Sequence, residues 1–127
     1  MRLHEQVRDG IDVFVLGGEI DLHYAPVLRA RLQAKARSGC PALLLDVSGV
    51  GFIDSSGISA ILEYLRDATK FGGRFCIGGV SEQLRWIFDV VGLGKVMPIF
   101  ADAAQAKEAL SSGSMPVPAT PLFAAAA

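Results

Sequence analysis

Residues 42–58 read Ala-Leu-Leu-Leu-Asp-Val-Ser-Gly-Val-Gly-Phe-Ile-Asp-Ser-Ser-Gly-Ile, and this stretch decides the fold. Its start, residues 42–47, is a short and nearly continuous apolar run, the pattern of a strand buried on both faces. Its end opens an amphipathic helix over residues 55–71. Ile58, Ile61, Leu62 and Leu65 share one stripe there, and Gly72-Gly73 stops it. A buried strand feeding a one-sided helix needs further strands beside it and a sheet beneath the helix.

The flanks supply them. Downstream, Phe75-Cys76-Ile77 is another buried strand. Ser81 is a fitting N-cap for a helix whose Leu84, Ile87, Phe88 and Val91 follow the i, i+3, i+4, i+7 pattern up to Gly92. Residues 96–100 read as a last short strand. Asp102, with Gln105 three residues on, opens a final helix through residue 110. Upstream, residues 3–8 and 11–16 alternate around Asp9-Gly10, a pair that supplies the positive φ angles of a hairpin turn, and Gly17-Gly18 ends the second strand. A helix over residues 26–38 follows, with Leu28, Leu32 and Ala36 on one side, Pro26 in its first turn and Gly39 past its end. The expected fold is therefore α/β: a small mixed sheet, opening with a hairpin and continuing with mostly parallel strands, covered by helices. Residues 111–127 change character. They carry no charge and hold half of the six prolines, so a domain over residues 1–110 with a flexible, uncharged C-terminal tail is expected.

Composition narrows the function. The chain has 127 residues, 51% hydrophobic and 20% charged, with a net charge of -1. One packed domain is affordable at this size without disulfides or metal. The near-neutral balance gives no electrostatic reason for direct nucleic-acid binding. Met1-Arg2-Leu3-His4-Glu5 places charges where a signal peptide needs apolar residues, and no apolar run approaches the roughly 18 residues of a membrane helix. No membrane insertion and a cytoplasmic location are expected. Cys40 and Cys76 are too few for a disulfide framework and read as small buried hydrophobes.

Enzyme motifs fail. There is no glycine-rich phosphate loop with lysine and no Gly-x-Gly-x-x-Gly after a strand, so no cofactor is expected. Ile53-Asp54-Ser55-Ser56-Gly57 lacks the glycine that a nucleophile elbow carries two residues before its serine. His4 and His23 are the only histidines, read as surface residues, and two distant histidines do not make a metal site. No catalytic and no metal-ligating residue is expected.

Asp54-Ser55-Ser56-Gly57 still needs an explanation. As a helix start, Asp54 is the N-cap, yet two serines and a glycine are mediocre helix formers to place together in a first turn. A helix start also tolerates an added phosphate best, because free N–H groups and the dipole stabilise its charge.

Gly18-Glu19-Ile20-Asp21-Leu22, an Ala-Pro-opened helix, Leu44-Leu45-Asp46-Val47-Ser48-Gly49-Val50 and Phe52-Ile53-Asp54-Ser55-Ser56-Gly57-Ile58 together resemble the STAS domain family of sulfate transporters and anti-sigma factor antagonists. Gly72-Gly73-Arg74-Phe75, Val80-Ser81-Glu82 through Phe88, and Val91-Gly92-Leu93 agree, so the resemblance covers residues 3–110. It implies about four helices packed mainly on one face of the sheet. It further implies an anti-sigma factor antagonist, switched by phosphorylation of the serine after the motif's aspartate, here Ser55. The implied partners are an anti-sigma factor that is also a serine kinase, sequestered while Ser55 is unphosphorylated, and a serine phosphatase that resets the switch. Asp21, Asp54, Ser56 and Gly57 are the implied partner-binding residues. Asp21 is expected near Ser55 at the same end of the sheet, or else as a loop residue capping the next turn. Gly57 admits either a close partner approach or simple close packing.

This chain departs from the family pattern at three places. Tyr24 stands where a small hydroxyl residue is common, so the first helix loses an ideal cap. Trp86 lies just off the third helix's apolar stripe, either as an exposed anchor or partly buried. Arg29, Arg31, Lys35 and Arg37 line the first helix without an acid, as a solvated face or as a surface for an acidic partner. Two rival readings remain: a constitutive accessory subunit of a lipid-transport ABC complex, and a small hydrolase using Ser55 or Ser56, which lacks a well-placed base. A monomer is expected, since no long apolar surface stripe is left over.

Overall fold

A computed structural model describes residues 1–112. Strands β1 (Arg2–Arg8) and β2 (Ile11–Ile20) form the opening hairpin. Helix α1 (Ala25–Arg37), strand β3 (Ala42–Ile53), helix α2 (Ser55–Phe71), strand β4 (Arg74–Gly78), helix α3 (Glu82–Val91), a 3₁₀ turn (Leu93–Lys95), strand β5 (Ile99–Phe100) and helix α4 (Ala103–Ser112) follow. The sheet order is β1-β2-β3-β4-β5, antiparallel in the hairpin and parallel thereafter. Asp9 and Gly10 take φ of 53° and 77°, the pair of positive values that the two-residue turn requires.

The alternation of β2, β3 and β4 sorts their side chains onto two faces. Phe14, Leu16, Leu43, Leu45 and Ile77 meet Leu28 and Leu32 of α1, Ile58 and Ile61 of α2, and Leu84 and Phe88 of α3. Ile11, Val13, Ala42, Leu44 and Cys76 meet Ala106 and Leu110 of α4 on the other face. Three helices therefore cover one face and one helix part of the other, as expected. Gly78 permits that fourth contact, because a Cβ there would lie 2.7 Å from the Ala106 Cβ.

Four boundaries differ from the sequence reading. β2 does not stop at Gly17-Gly18 but runs through them to Ile20, with register irregularities between Val15 and Gly17 and between Gly18 and Glu19. β3 likewise continues to Ile53, because Gly49, Val50, Phe52 and Ile53 pair with that extension of β2. Both strands are lengthened by their pairing with each other, through glycines that are poor strand formers on their own. The last strand shrinks to Ile99–Phe100, since residues before it are taken by the 3₁₀ turn and Pro98. α4 runs to Ser112, two residues past the expected domain end, and the rest of the tail, residues 113–127, lies outside the described residues.

The basic residues of α1 are mostly engaged within the molecule. Arg29 pairs with Glu63 of α2 at 3.3 Å, and Arg31 with Glu5 of β1 at 3.0 Å. Lys35 bridges Glu5 and Asp12 at 3.2 and 2.9 Å. Only Arg37 of the four has no such pair, so the helix offers no broad basic face to a partner. The Arg31 hydrogen bond, with help from Lys35, holds the Glu5 carboxyl below the usual carboxylate range. Burial pushes Asp12 up, but hydrogen bonds from Lys35 and Cys40 outweigh it and the net shift is down. Both carboxyls bind protons more weakly in the folded state. Their contribution is thus present above their ordinary values of 4.5 and 3.8 and is lost as pH falls below them. Urea midpoints measured from pH 7 to pH 3 should drop at the acid end, and Lys35→Met should make that drop shallower. An equal drop in both proteins would show that the cluster is not linked to folding.

Candidate phosphorylation and docking site

Ile20 and Ile53 are paired at the ends of β2 and β3, so the next residue on each strand, Asp21 and Asp54, emerges at the same end of the sheet. The Asp54 N–H donates to the Ile20 carbonyl at 3.1 Å and locks the two exits together. Asp54 is the N-cap of α2: its carboxylate accepts from the N–H groups of Ser56 and Gly57 at 3.0 and 3.3 Å and from the Ser56 hydroxyl. The Ser56 hydroxyl bond, against a smaller effect of burial and with the backbone donors, holds the Asp54 carboxyl below its ordinary value.

Asp21 answers to both expectations. It sits at the Ser55 end of the sheet, and its carboxylate also accepts from the N–H groups of His23 and Tyr24 at 3.0 and 3.2 Å. Tyr24 occupies the N-cap position of α1 without a side-chain cap, as its identity implied. Asp21, three residues upstream, takes over part of that role. The His23 and Tyr24 rings meet edge to face at 4.8 Å.

The two serines are not equivalent. Ser56 donates its hydroxyl to Asp54. Ser55, the first residue of α2, is exposed, and among the described residues no hydrogen bond engages its hydroxyl; its carbonyl accepts from Ser59 Oγ at 2.8 Å. Gly57 is buried. A Cβ there would lie 2.7 Å from Ile53 Cγ1 and 2.9 Å from Ile20 Cγ2, so its place is close packing of the first turn onto the strand ends.

The carboxylates differ in whether they are paired. Glu5 in mid-β1, and Asp9 and Asp12 at the hairpin end, are all in ion pairs. Among the described residues, Glu19, Asp21 and Asp54 at the Ser55 end, and Asp46 farther back on β3, are in none, although Arg2 lies against Gly17 and the Met1 amine beside Gly18. Exposed apolar residues gather here too: Leu22, Val27 in the first turn of α1, and Phe52 two residues before Asp54. Sequence patterning missed these three, because an apolar residue in a loop or at a strand end belongs to no period. Trp86 is the exposed one of its two alternatives, on the outer side of α3 with Val90 one turn on. The thiols are inert by environment: burial pushes Cys40 up to about 11 and Cys76 up to about 12.

The family model for the STAS domain matches residues 3–106, and the chain belongs to that family. It is similar to the anti-sigma F factor antagonist of Paenibacillus polymyxa, at 30% identity over 98 residues that span 76% of this chain and 84% of the relative. With the anti-sigma-B factor antagonist of Bacillus subtilis (strain 168) it shares 34% identity over 86 residues, 68% of this chain and 78% of that one. Its fold matches the Bacillus cell fate determinant SpoIIAA in the phosphorylated form, with a TM-score of 0.67 and 24% identity over 84% of this chain and 97% of the other. Among the described residues, no helix is long and apolar enough to cross a membrane.

Asp54 has a direct test. Asp54→Asn keeps the capping oxygen and should melt close to the wild type, whereas Asp54→Ala should melt measurably lower. Thermal denaturation followed by circular dichroism distinguishes them, and equal melting of all three would remove the cap from the account.

Proposed function

We propose that this protein is a cytoplasmic anti-sigma factor antagonist, a binding protein rather than an enzyme, switched by phosphorylation of Ser55. In the unphosphorylated state it sequesters an anti-sigma factor that is also a serine kinase. Phosphorylation by that kinase releases it, and a serine phosphatase resets it. Asp21, Asp54 and Ser56 belong to the surface the kinase meets, while Gly57 supports that surface from beneath. The observation that carries the reading is the contrast at the helix start: Ser55 presents a free, exposed hydroxyl where Ser56 is tied to Asp54. The names of the relatives favour this reading over an accessory subunit of a lipid-transport ABC complex.

The physics is local. A phosphate on the first residue of α2 lies at the positive end of the helix dipole, so the fold tolerates it, even though Asp54 already holds the Ser56 and Gly57 N–H groups. It also adds roughly -1.5 to -2 charges beside Asp54. A partner surface fitted to a neutral hydroxyl then faces a dianion, and each 1.4 kcal/mol or so of penalty weakens binding about tenfold.

Phosphosite mapping on the protein isolated from its native cells, with copurifying partners identified, tests the assignment and supplies the kinase. With that kinase in hand, Ser55→Ala should bind as tightly as the unphosphorylated protein, and Ser55→Asp about tenfold or more weakly. Equal binding by both variants would sink the switch. Phosphate on Ser56 in place of Ser55 would overturn the choice of serine.

A further inference from the structure

We infer that Leu22 is the apolar anchor of the kinase-docking surface, standing beside the carboxylates of Asp21 and Asp54, and that it fits an apolar pocket rimmed by lysine and arginine. The inference rests on the reading of Ser55 as the switch. A singly exposed leucine is ordinary. Leu22 differs in being the most exposed of the large hydrophobic side chains among the described residues, at 75%, while its backbone is held in place.

The backbone is held on both sides of Leu22: the Ile20 carbonyl accepts from the Asp54 N–H, and the N–H groups of His23 and Tyr24 donate to the Asp21 carboxylate. The side chain is thus presented from a fixed loop, and a partner loses little ordering entropy on meeting it. Val27 and Phe52, 49% and 42% exposed, extend the apolar area on α1 and β3. Glu19, Asp21 and Asp54 at this end are in no ion pair among the described residues, while Arg2 lies against Gly17 and the Met1 amine beside Gly18, so the surface next to Leu22 favours a positively charged partner.

Asp54 joins the anchor to the switch. Its carboxylate caps the helix that carries Ser55 and its N–H holds the Ile20 carbonyl two residues before Leu22, which ties the start of α2 to the connection that presents Leu22. A kinase seated on Leu22 therefore meets the Ser55 hydroxyl in a defined position. The outer side of α3 offers a competing apolar pair, Trp86 and Val90, but nothing couples it to Ser55.

The test is steady-state phosphorylation of Ser55 by the kinase identified above, with Mg-ATP. Leu22→Ala should raise KM for this protein about tenfold with kcat within about twofold, because an anchor acts equally on ground and transition states. Leu22→Met should restore KM to within about threefold of wild type. Trp86→Ala should leave both constants within about twofold. Leu22→Ala is expected to melt with the wild type, which separates docking from folding. An unchanged KM in Leu22→Ala, or a larger KM effect from Trp86→Ala, overturns the anchor while leaving the switch intact. If no kinase phosphorylates Ser55, the switch reading falls and the anchor with it.

Discussion

Phe14→Ala is expected to lower the stability of the domain by about 3–5 kcal/mol, a large share of the 5–15 kcal/mol typical of a small domain. Phe14 is fully buried at the centre of β2, facing α1. It pairs with Glu5 on one side and Leu45 on the other, so it ties the hairpin to the parallel part of the sheet. The Arg31 and Lys35 head groups lie 6.0 and 5.8 Å from its ring centre, with their own ion pairs to Glu5 and Asp12. Truncation leaves a cavity and removes the ring those cations lie against. Phe14→Leu, which refills most of the volume, should cost far less, about 1–1.5 kcal/mol. Urea unfolding at neutral pH measures both; an Ala loss near 1 kcal/mol would mean that α1 collapses onto the sheet and fills the space.

Gly57→Val is expected to cost about 3 kcal/mol, more than Gly57→Ala, by forcing the first turn of α2 away from the strand ends. The nearest atoms to a new Cβ belong to Ile53 and Ile20, both fully enclosed side chains with little room to give. A branched residue adds two further atoms on the same crowded side. The same urea assay reads the loss. A Val variant as stable as the wild type would show that the helix start shifts outward at little cost, and would return Gly57 to the surface.

How much of this was legible beforehand depends on where each residue's partners lie. The Asp9-Gly10 turn, the cap by Asp54 and the stripes of α2 and α3 are governed by residues a few positions away, and periodicity finds them. The extension of β2 through Gly17-Gly18 is not local. Those glycines stay in the strand because β3 pairs with them, and no pattern within residues 11–20 announces that. The pairing of Arg29, Arg31 and Lys35 is equally hidden, since their acids stand on β1, β2 and α2, each far off in sequence. Ser55 and Ser56 look interchangeable as letters. Their difference is a side-chain rotamer, Ser56 turned toward Asp54, which appears only in three dimensions. Leu22 escaped because exposure of a loop residue is set by what does not cover it.

The two margins of the sheet carry a consequence for self-association. β5 contributes only two residues, too short a ledge to template another strand. β1 is longer, but its sequence resists copying itself. A second molecule laid antiparallel along it with Glu5 against Glu5 would also set Arg2 against Arg8 at both ends, like charge facing like charge. Lengthening of the sheet from molecule to molecule is discouraged on both flanks, which leaves the strand tips around Ser55 as the part of the domain open to company.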